Sequence, residues 1–304
     1  MKEREKLLSL CIPSNGRTEW VLPVVDSILQ SGVDEDSYEI VIEDNGTGLD
    51  LENRLKDYQS LHRNIRYYKS EAQGFLCQID CFRHAEGQLI KFVNHRSTLK
   101  EGAVAFLLAY AEEHCETRPV TYFSDGRVPG SVCTTFDRFV RDLAYWSSWS
   151  NGLAVWKKDL DKMENISEYN ALFPHTDLLF ARRDAEEYRI EDHALFSDIE
   201  TGHGVKSHYN VFRAFAVEFL SIIGDLMRDG SIGVDTFLSV RKSLMPFLAD
   251  LYLRFIVLKK PASYDFTNYR KYLGVYYSGN EFRCGCAKQM LRMVWDKYFG
   301  RRKS

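Results

Sequence analysis

The first 123 residues alternate short apolar runs with longer amphipathic stretches, and that alternation leaves few folds open. Residues 7–12 are an apolar run without helical period, stopped by Pro13-Ser14-Asn15-Gly16. This is the pattern of a buried strand followed by a loop. Residues 19–30 then set Trp20, Val24, Ile28 and Leu29 on one helical face. Further strands are predicted over 38–42, 65–68, 89–93 and 120–123, and further helices over 51–61, 75–84 and 100–114. Strands spaced by helices of about a dozen residues predict a mostly parallel sheet with helices on both faces. Such a sheet is buried on both sides, hence its near-continuous apolar strands. Ligands of open parallel sheets bind beyond the carboxyl ends of the strands. Three polar clusters fall at those ends, at residues 13–17, 43–45 and 94–97.

Beyond residue 124 the alternation fades. A helix is predicted over 134–146, a strand over 152–156, and long helices over 209–227 and 234–258, separated by the turn dipeptide Asp229-Gly230. A short helix is expected to start at Pro261, and the last spans 281–299. The expected organisation is one α/β domain over 1–205, in halves 1–115 and 116–205, with a helical extension over 206–304. A hydrophobic share of 45% and a charged share of 27% suit a soluble globular protein and exclude long disorder. The net charge of -3 offers no field for nucleic acid. Residues 1–6 are charged and the first apolar run is short, which does not suit a secretory signal. No run approaches the roughly 20 apolar residues that span a bilayer. The expectation is a cytoplasmic protein whose seven cysteines are reduced core or surface thiols. Cys284-Gly285-Cys286 is too tight for the usual metal or redox spacing.

Four stretches, in order, resemble the family 2 glycosyltransferases of GT-A fold, most of all enzymes of the abequosyltransferase type that build bacterial surface polysaccharides. They are Leu8-Ser9-Leu10-Cys11-Ile12-Pro13-Ser14-Asn15-Gly16-Arg17, Tyr38-Glu39-Ile40-Val41-Ile42-Glu43-Asp44-Asn45-Gly46-Thr47, Ile65-Arg66-Tyr67-Tyr68 and Ala85-Glu86-Gly87-Gln88-Leu89-Ile90-Lys91-Phe92-Val93. The resemblance implies a nucleotide-binding half over 1–115 and an acceptor half over 116–205. It implies that Asp44, with Asn45, takes the base or ribose of a nucleotide-sugar donor. Pro13, Ser14, Asn15 and Arg17 would wrap the nucleoside, and Arg17 suits a phosphate. The bland reading of Asp44-Asn45-Gly46 is a turn.

At the fourth strand end this chain departs from the family, whose Asp-x-Asp cluster holds a divalent ion. Asn94-His95-Arg96 stands there instead. Mg²⁺ prefers carboxylate oxygens. Three readings stay open: Asn94 and His95 hold a softer ion such as Mn²⁺, Arg96 replaces the metal as diphosphate counter-charge, or catalysis is lost. His203 and His208 flank a glycine-containing loop, and His203 is either a further metal candidate or an ordinary solvated loop histidine.

Inverting transfer needs a general base, most often a carboxylate. Asp177, in Phe173-Pro174-His175-Thr176-Asp177, is the first candidate, against a helix N-terminus capped by Thr176. Glu191 and Asp192 resemble the family's acidic pair and compete with it; Asp125 is a fourth carboxylate beyond the fifth strand. Ser150-Asn151-Gly152 either lines the site or is a turn. Near the C-terminus, Met290, Leu291, Val294, Trp295, Tyr298 and Phe299 alternate with Lys288, Arg292, Lys297, Arg301, Arg302 and Lys303. This suits peripheral contact with an anionic membrane, or equally core packing or a homodimer. The leading expectation is a glycosyltransferase of capsule or O-antigen assembly at the inner face of a bacterial plasma membrane, with a glycan or lipid-linked acceptor. The alternative is a non-catalytic GT-A-like protein that binds nucleotide or glycan and partners another transferase.

Overall fold

The structure is a computed structural model that describes residues 6–162, 168–200 and 209–299. The chain divides into two compact units, Met1–Ile199 and Glu200–Ser304.

The first unit opens with β1 (Leu8–Ser14), α1 (Thr18–Leu29), β2 (Tyr38–Asp44), α2 (Asp50–Leu61), β3 (Ile65–Lys69), α3 (Cys77–His84), β4 (Leu89–Phe92), β5 (Ser97–Leu99) and α4 (Ala103–His114). It continues through β6 (Val120–Phe123), β7 (Ser131–Cys133), α5 (Phe136–Leu143), β8 (Ala154–Trp156), α6 (Lys157–Lys162), α7 (Pro174–Leu179), β9 (Tyr188–Glu191) and β10 (Phe196–Asp198). The central sheet has the order β3-β2-β1-β4-β8. Its first four strands are parallel, and β8 runs antiparallel on the edge beside β4.

The side-chain period of two sorts β1 onto two faces. Leu8, Leu10 and Ile12 join Val21, Val24, Val25 and Ile28 of α1, Leu51 and Leu55 of α2, and Val104 and Leu107 of α4 in one buried core. Full burial of each such side chain contributes about 1.5–3 kcal/mol. Ser9 and Cys11 face α3 on the other side. There Cys81 Sγ meets the Val41 carbonyl at 3.4 Å, and Ser9 Oγ donates to buried Glu39 at 2.6 Å. Arg66 and the Glu86 amide complete the shell of Glu39 at 3.0 and 2.6 Å, so this buried charge is answered.

The strand predicted over 120–123 forms, but outside the central sheet. It lies in a three-stranded sheet of order β6-β9-β7. The position next to β4 is taken by β8, whose antiparallel return closes that edge. Tyr122 bridges Leu153 antiparallel, which ties the second sheet to the first. β5, β7 and β10 are three residues each, too short to show a period in sequence.

The second unit is helical. α8 (Val211–Arg213) passes through a π turn, Ala214–Phe219, into α9 (Leu220–Arg228). Gly230, at φ +81°, breaks the chain before α10 (Val234–Leu251), which runs on as a π turn over Tyr252–Val257. α11 (Tyr269–Tyr276) and α12 (Gly279–Phe299) follow. The helix expected from Pro261 begins at Tyr269 instead. Asp265 accepts from the Thr267 amide at 2.8 Å and from Asn210 Nδ2 at 3.1 Å, and this local turn competes with helix. Among the described residues no helix is long and apolar enough to cross a membrane.

Candidate functional site

Strand direction decides which ends meet. β8 is antiparallel to β4, its lead-in residue Leu153 bridges β6 antiparallel, and β6 is parallel to β9. The carboxyl ends of β1, β2, β4, β6 and β9 therefore open on one edge. In the order 3-2-1-4 the crossover reverses between β1 and β4, the place where open α/β sheets leave a crevice.

At the β2 end, Asp44 is fully buried. Its Oδ1 accepts from the Gly46 amide at 2.8 Å, and its Oδ2 from Tyr67 Oη and Lys69 Nζ, both at 2.9 Å. Burial, then the Asp44 carboxylate, push the Tyr67 hydroxyl pKa well up, so it stays a donor. Two glycines seal the carboxylate. Gly16 has φ +81°, and a Cβ on Gly46 would lie 2.6 Å from the Asn15 carbonyl oxygen. Only glycine lets these two loops touch. The Lys69 side chain, 40% exposed, is the cover between Asp44 and solvent. Asn15 and Arg17 are exposed, while Ser14 is buried, its Oγ accepting from the Gly16 amide at 3.1 Å. Asn45 is turned away, donating to the Ala72 and Gly74 carbonyls at 2.9 and 3.1 Å.

At the β4 end, Asn94, His95 and Arg96 form a fixed turn. Asn94 Oδ1 accepts from the Arg96 amide at 3.0 Å, and the Ser97 amide donates to the Asn94 carbonyl at 2.9 Å. His95 Nδ1 donates to the Pro13 carbonyl at 2.9 Å, which ties this turn to the β1 end. Burial lowers the His95 pKa to about 4, so the ring is neutral at pH 7. It lies parallel to the indole of Trp20, centroids 5.5 Å apart. The guanidinium carbons of Arg96 and of Arg17 also lie 5.5 Å from that ring.

Asn151 braces this turn from the β8 side. Its Oδ1 accepts from the Asn94 amide at 2.8 Å, and its Nδ2 donates to Ser97 Oγ at 3.1 Å. Its own carbonyl is held by Lys91 Nζ, a fully buried amino group that also donates to the Phe92 and Leu153 carbonyls at 2.8 and 3.3 Å. Lys91 was legible only as part of a strand motif, because its partners sit sixty residues on.

The candidate bases separate. Glu191 ends β9, and Asp192 follows it, exposed, with Oδ2 accepting from the Gly130 amide at 3.0 Å. Asp125, at φ 53°, accepts from the Leu195 and Phe196 amides at 2.7 and 3.0 Å and so starts β10. β10 pairs antiparallel with β5, and the Ile199 amide donates to the Arg96 carbonyl at 2.8 Å. The acidic pair and the Asn94–Arg96 turn are thus joined by one short ribbon. Asp177 lies on α7, beside Asn170, whose amide donates to it at 2.5 Å. Burial raises its pKa to about 6. No hydrogen bond among the described residues links it to the strand-end cluster. Thr176 is not the cap expected there, since α7 starts at Pro174 and Thr176 Oγ1 donates to the Ser147 carbonyl at 3.0 Å. His175 is buried, its pKa lowered by burial to about 4, and its Nε2 donates to the Ser148 carbonyl at 2.9 Å.

The donor set at the β4 end does not fit a hard divalent ion. Asn94 Oδ1 is spent on a backbone amide, Arg96 adds a positive charge, and the carboxylate tied to this turn, Asp198, accepts from Ser97 Oγ at 2.9 Å. Among the described residues no three His, Cys, Asp or Glu side chains gather as a metal group. His203 and His208 lie outside the described residues.

No family model matches the chain, and no curated protein matches its sequence. Solved structures do match its fold. A structure of residues 1–349 of TarS from S. aureus, in complex with UDP-GlcNAc, aligns at TM-score 0.50 and 14% identity over 89% of this chain and 91% of that one. The mannosyltransferase PcManGT from Pyrobaculum calidifontis, in complex with GDP-Man and Mn²⁺, aligns at TM-score 0.52 and 14% identity over 97% of this chain and 88% of that one. At this identity the likeness is one of fold. The chain has a GT-A-like α/β fold with a mainly parallel central sheet and a helical C-terminal region.

Proposed function

We propose that the protein is a glycosyltransferase that moves a sugar from a nucleotide-diphospho-sugar to a hydroxyl of a glycan or lipid-linked acceptor, with inversion. The observation that carries this reading is the convergence, on one edge of a GT-A-like sheet, of the Asp44 loops, the Arg17–Arg96 cluster and the Glu191-Asp192 pair. The fold neighbours with UDP-GlcNAc and GDP-Man support the donor class.

In this reading a nucleoside N–H takes the place of the Lys69 ammonium at Asp44 Oδ2, the one donor with an exposed side chain to swing away. Asp192 is the base, because it is exposed at the strand-end edge while Asp177 is held by Asn170 on α7. The acceptor oxygen attacks the anomeric carbon and gives its proton to Asp192. The bond from that carbon to the diphosphate breaks, and its electron pair leaves with the diphosphate. A single in-line displacement inverts the configuration.

The wider setting we infer is capsule or O-antigen assembly at the cytoplasmic face of a bacterial membrane. Its support is α12, which exposes Met290, Leu291 and Val294 at 50%, 71% and 49% beside Lys288 and Arg292. The missing acidic cluster at Asn94–Arg96 favours one second reading, a GT-A-like protein that binds nucleotide without transfer. Incubation with UDP-, GDP-, CDP- and dTDP-sugars, with release of nucleoside diphosphate as readout, separates the two. Turnover of one donor is expected; nucleotide binding without turnover of any donor would select the second reading.

A further inference from the structure

We propose that Arg17 and Arg96, gathered on the indole of Trp20 at the β1 and β4 ends, hold the donor's diphosphate directly and do the work of a divalent cation. This rests on the reading above that the ligand is a nucleotide-diphospho-sugar. Three observations carry it.

The first is charge. Arg96 is half-buried at the crevice, and no ion pair to it is found among the described residues. Cations withdrawn from water ordinarily have a carboxylate partner. Among the described residues the ion pair of Arg17 is with Glu19, at 3.6 Å, with both side chains exposed. Such a surface pair is weak and yields readily to a stronger anion. Two guanidinium charges match the two charges of a diphosphodiester, and their planar forks suit phosphate oxygens.

The second is preorganisation. Trp20, 8% exposed, is fixed in the first turn of α1. It supports both guanidiniums at the same 5.5 Å, and the attraction of a cation to the ring face holds them in place. The Arg96 backbone is pinned through its amide to Asn94 and through its carbonyl to Ile199. Little ordering remains to be done when the anion arrives.

The third is place. Arg17 follows β1 and Arg96 follows β4, the two strands between which the sheet order reverses. β9, parallel to β6, ends at Glu191 just before Asp192, so the proposed base belongs to the same strand-end edge as the two arginines. The oxygen and carboxylate donors that a metal would need are absent or engaged at this turn.

Calorimetric titration with UDP, GDP, CDP and dTDP, and with the matching nucleosides, in EDTA and in Mn²⁺, tests this. At least one diphosphate is expected to bind in EDTA, with Kd changed less than about twofold by Mn²⁺. Arg96→Gln is expected to weaken that diphosphate by about 10- to 100-fold, as loss of a hydrogen bond to a charged group predicts. Its nucleoside should bind as before. Arg96→Lys should restore only part of the loss. Arg17→Gln, at an exposed position that the fold does not need, should weaken the diphosphate in the same selective way. Binding that requires Mn²⁺, or diphosphate affinity unchanged in both glutamine variants, would overturn the inference and leave the proposed function standing. No binding of any nucleotide under either condition would overturn both.

Discussion

Lys91→Met removes the buried amino group that fixes the Asn151 loop under the β4 end. The lysine is fully buried, donates to three carbonyls and lies 5.6 and 5.1 Å from the rings of Phe123 and Phe196. Each buried acceptor left without a donor costs about 1–3 kcal/mol. The methionine recovers about 1.5–3 kcal/mol of apolar burial. The Leu153 carbonyl keeps the Phe92 amide as a donor at 3.1 Å, so two acceptors lose theirs, and the central values leave a net loss of about 2 kcal/mol. The loss also depends on pH. Burial lowers the Lys91 pKa to about 7, opposed in part by Asp125. In the unfolded chain a lysine titrates near 10.4, so between about pH 7 and pH 10 the unfolded state holds the extra proton. Wild-type stability from this group therefore rises with pH through that window and is lost as pH falls through 7. The slope is at most about 1.4 kcal/mol per pH unit. Urea unfolding of both proteins from pH 7 to 10 measures it, since other titrations cancel in the difference. A wild-type minus variant difference that stays flat across that range, or a variant as stable as wild type, would refute the reasoning. Donor affinity should fall as well, because Asn151 then loses its hold on Asn94.

Gly46→Ala forces a Cβ to within 2.6 Å of the Asn15 carbonyl oxygen, so the loops over Asp44 must part. Overpacking of this kind costs about 1–3 kcal/mol; a drop in Tm with weaker nucleotide binding is expected, and unchanged affinity would argue against a site there. Asp192→Asn keeps an acceptor for the Gly130 amide, so the fold should survive while kcat falls by about 10²–10⁴. If instead Asp177→Asn abolished kcat and Asp192→Asn did not, the base would be Asp177. Because the folded pKa of Asp177 is raised to about 6, its contribution is full below about pH 4 and lost as pH rises through 6. Asp177→Asn should therefore flatten that part of the stability profile, read by urea unfolding. Leu291→Glu on the exposed face of α12 should reduce co-sedimentation with anionic vesicles without changing Tm; undiminished binding would remove membrane contact from the reading.

Periodicity located the elements of the first half closely, as with β1, β2 and the helices that follow them, because side-chain burial against a parallel sheet repeats locally. It missed β5, β7, β9 and β10, strands of three or four residues that are too short to show a period. Those strands nevertheless shape the site edge, since the pairing of β5 with β10 pins the Arg96 carbonyl to the Ile199 amide and β9 ends at Glu191. The helix start at Pro261 failed for another local reason, the Asp265 turn. Composition could not reveal that Asp44 is sealed, because Lys69 and Tyr67 reach it from the neighbouring strand.

By itself the sequence determined the order of the longer strands and helices of the first half, the three polar clusters at strand ends, and the replacement of an acidic cluster by Asn94-His95-Arg96. These are properties of neighbours along the chain. Only the tertiary structure decided which clusters share an edge, that Trp20 gathers His95, Arg17 and Arg96, and that Asp177 stands apart from Asp192. The contacts responsible join residues far apart, such as His95 to Pro13 across 82 positions and Ser97 to Asp198 across 101. Such contacts form only where strand order and direction bring distant loops together, and no local pattern encodes that.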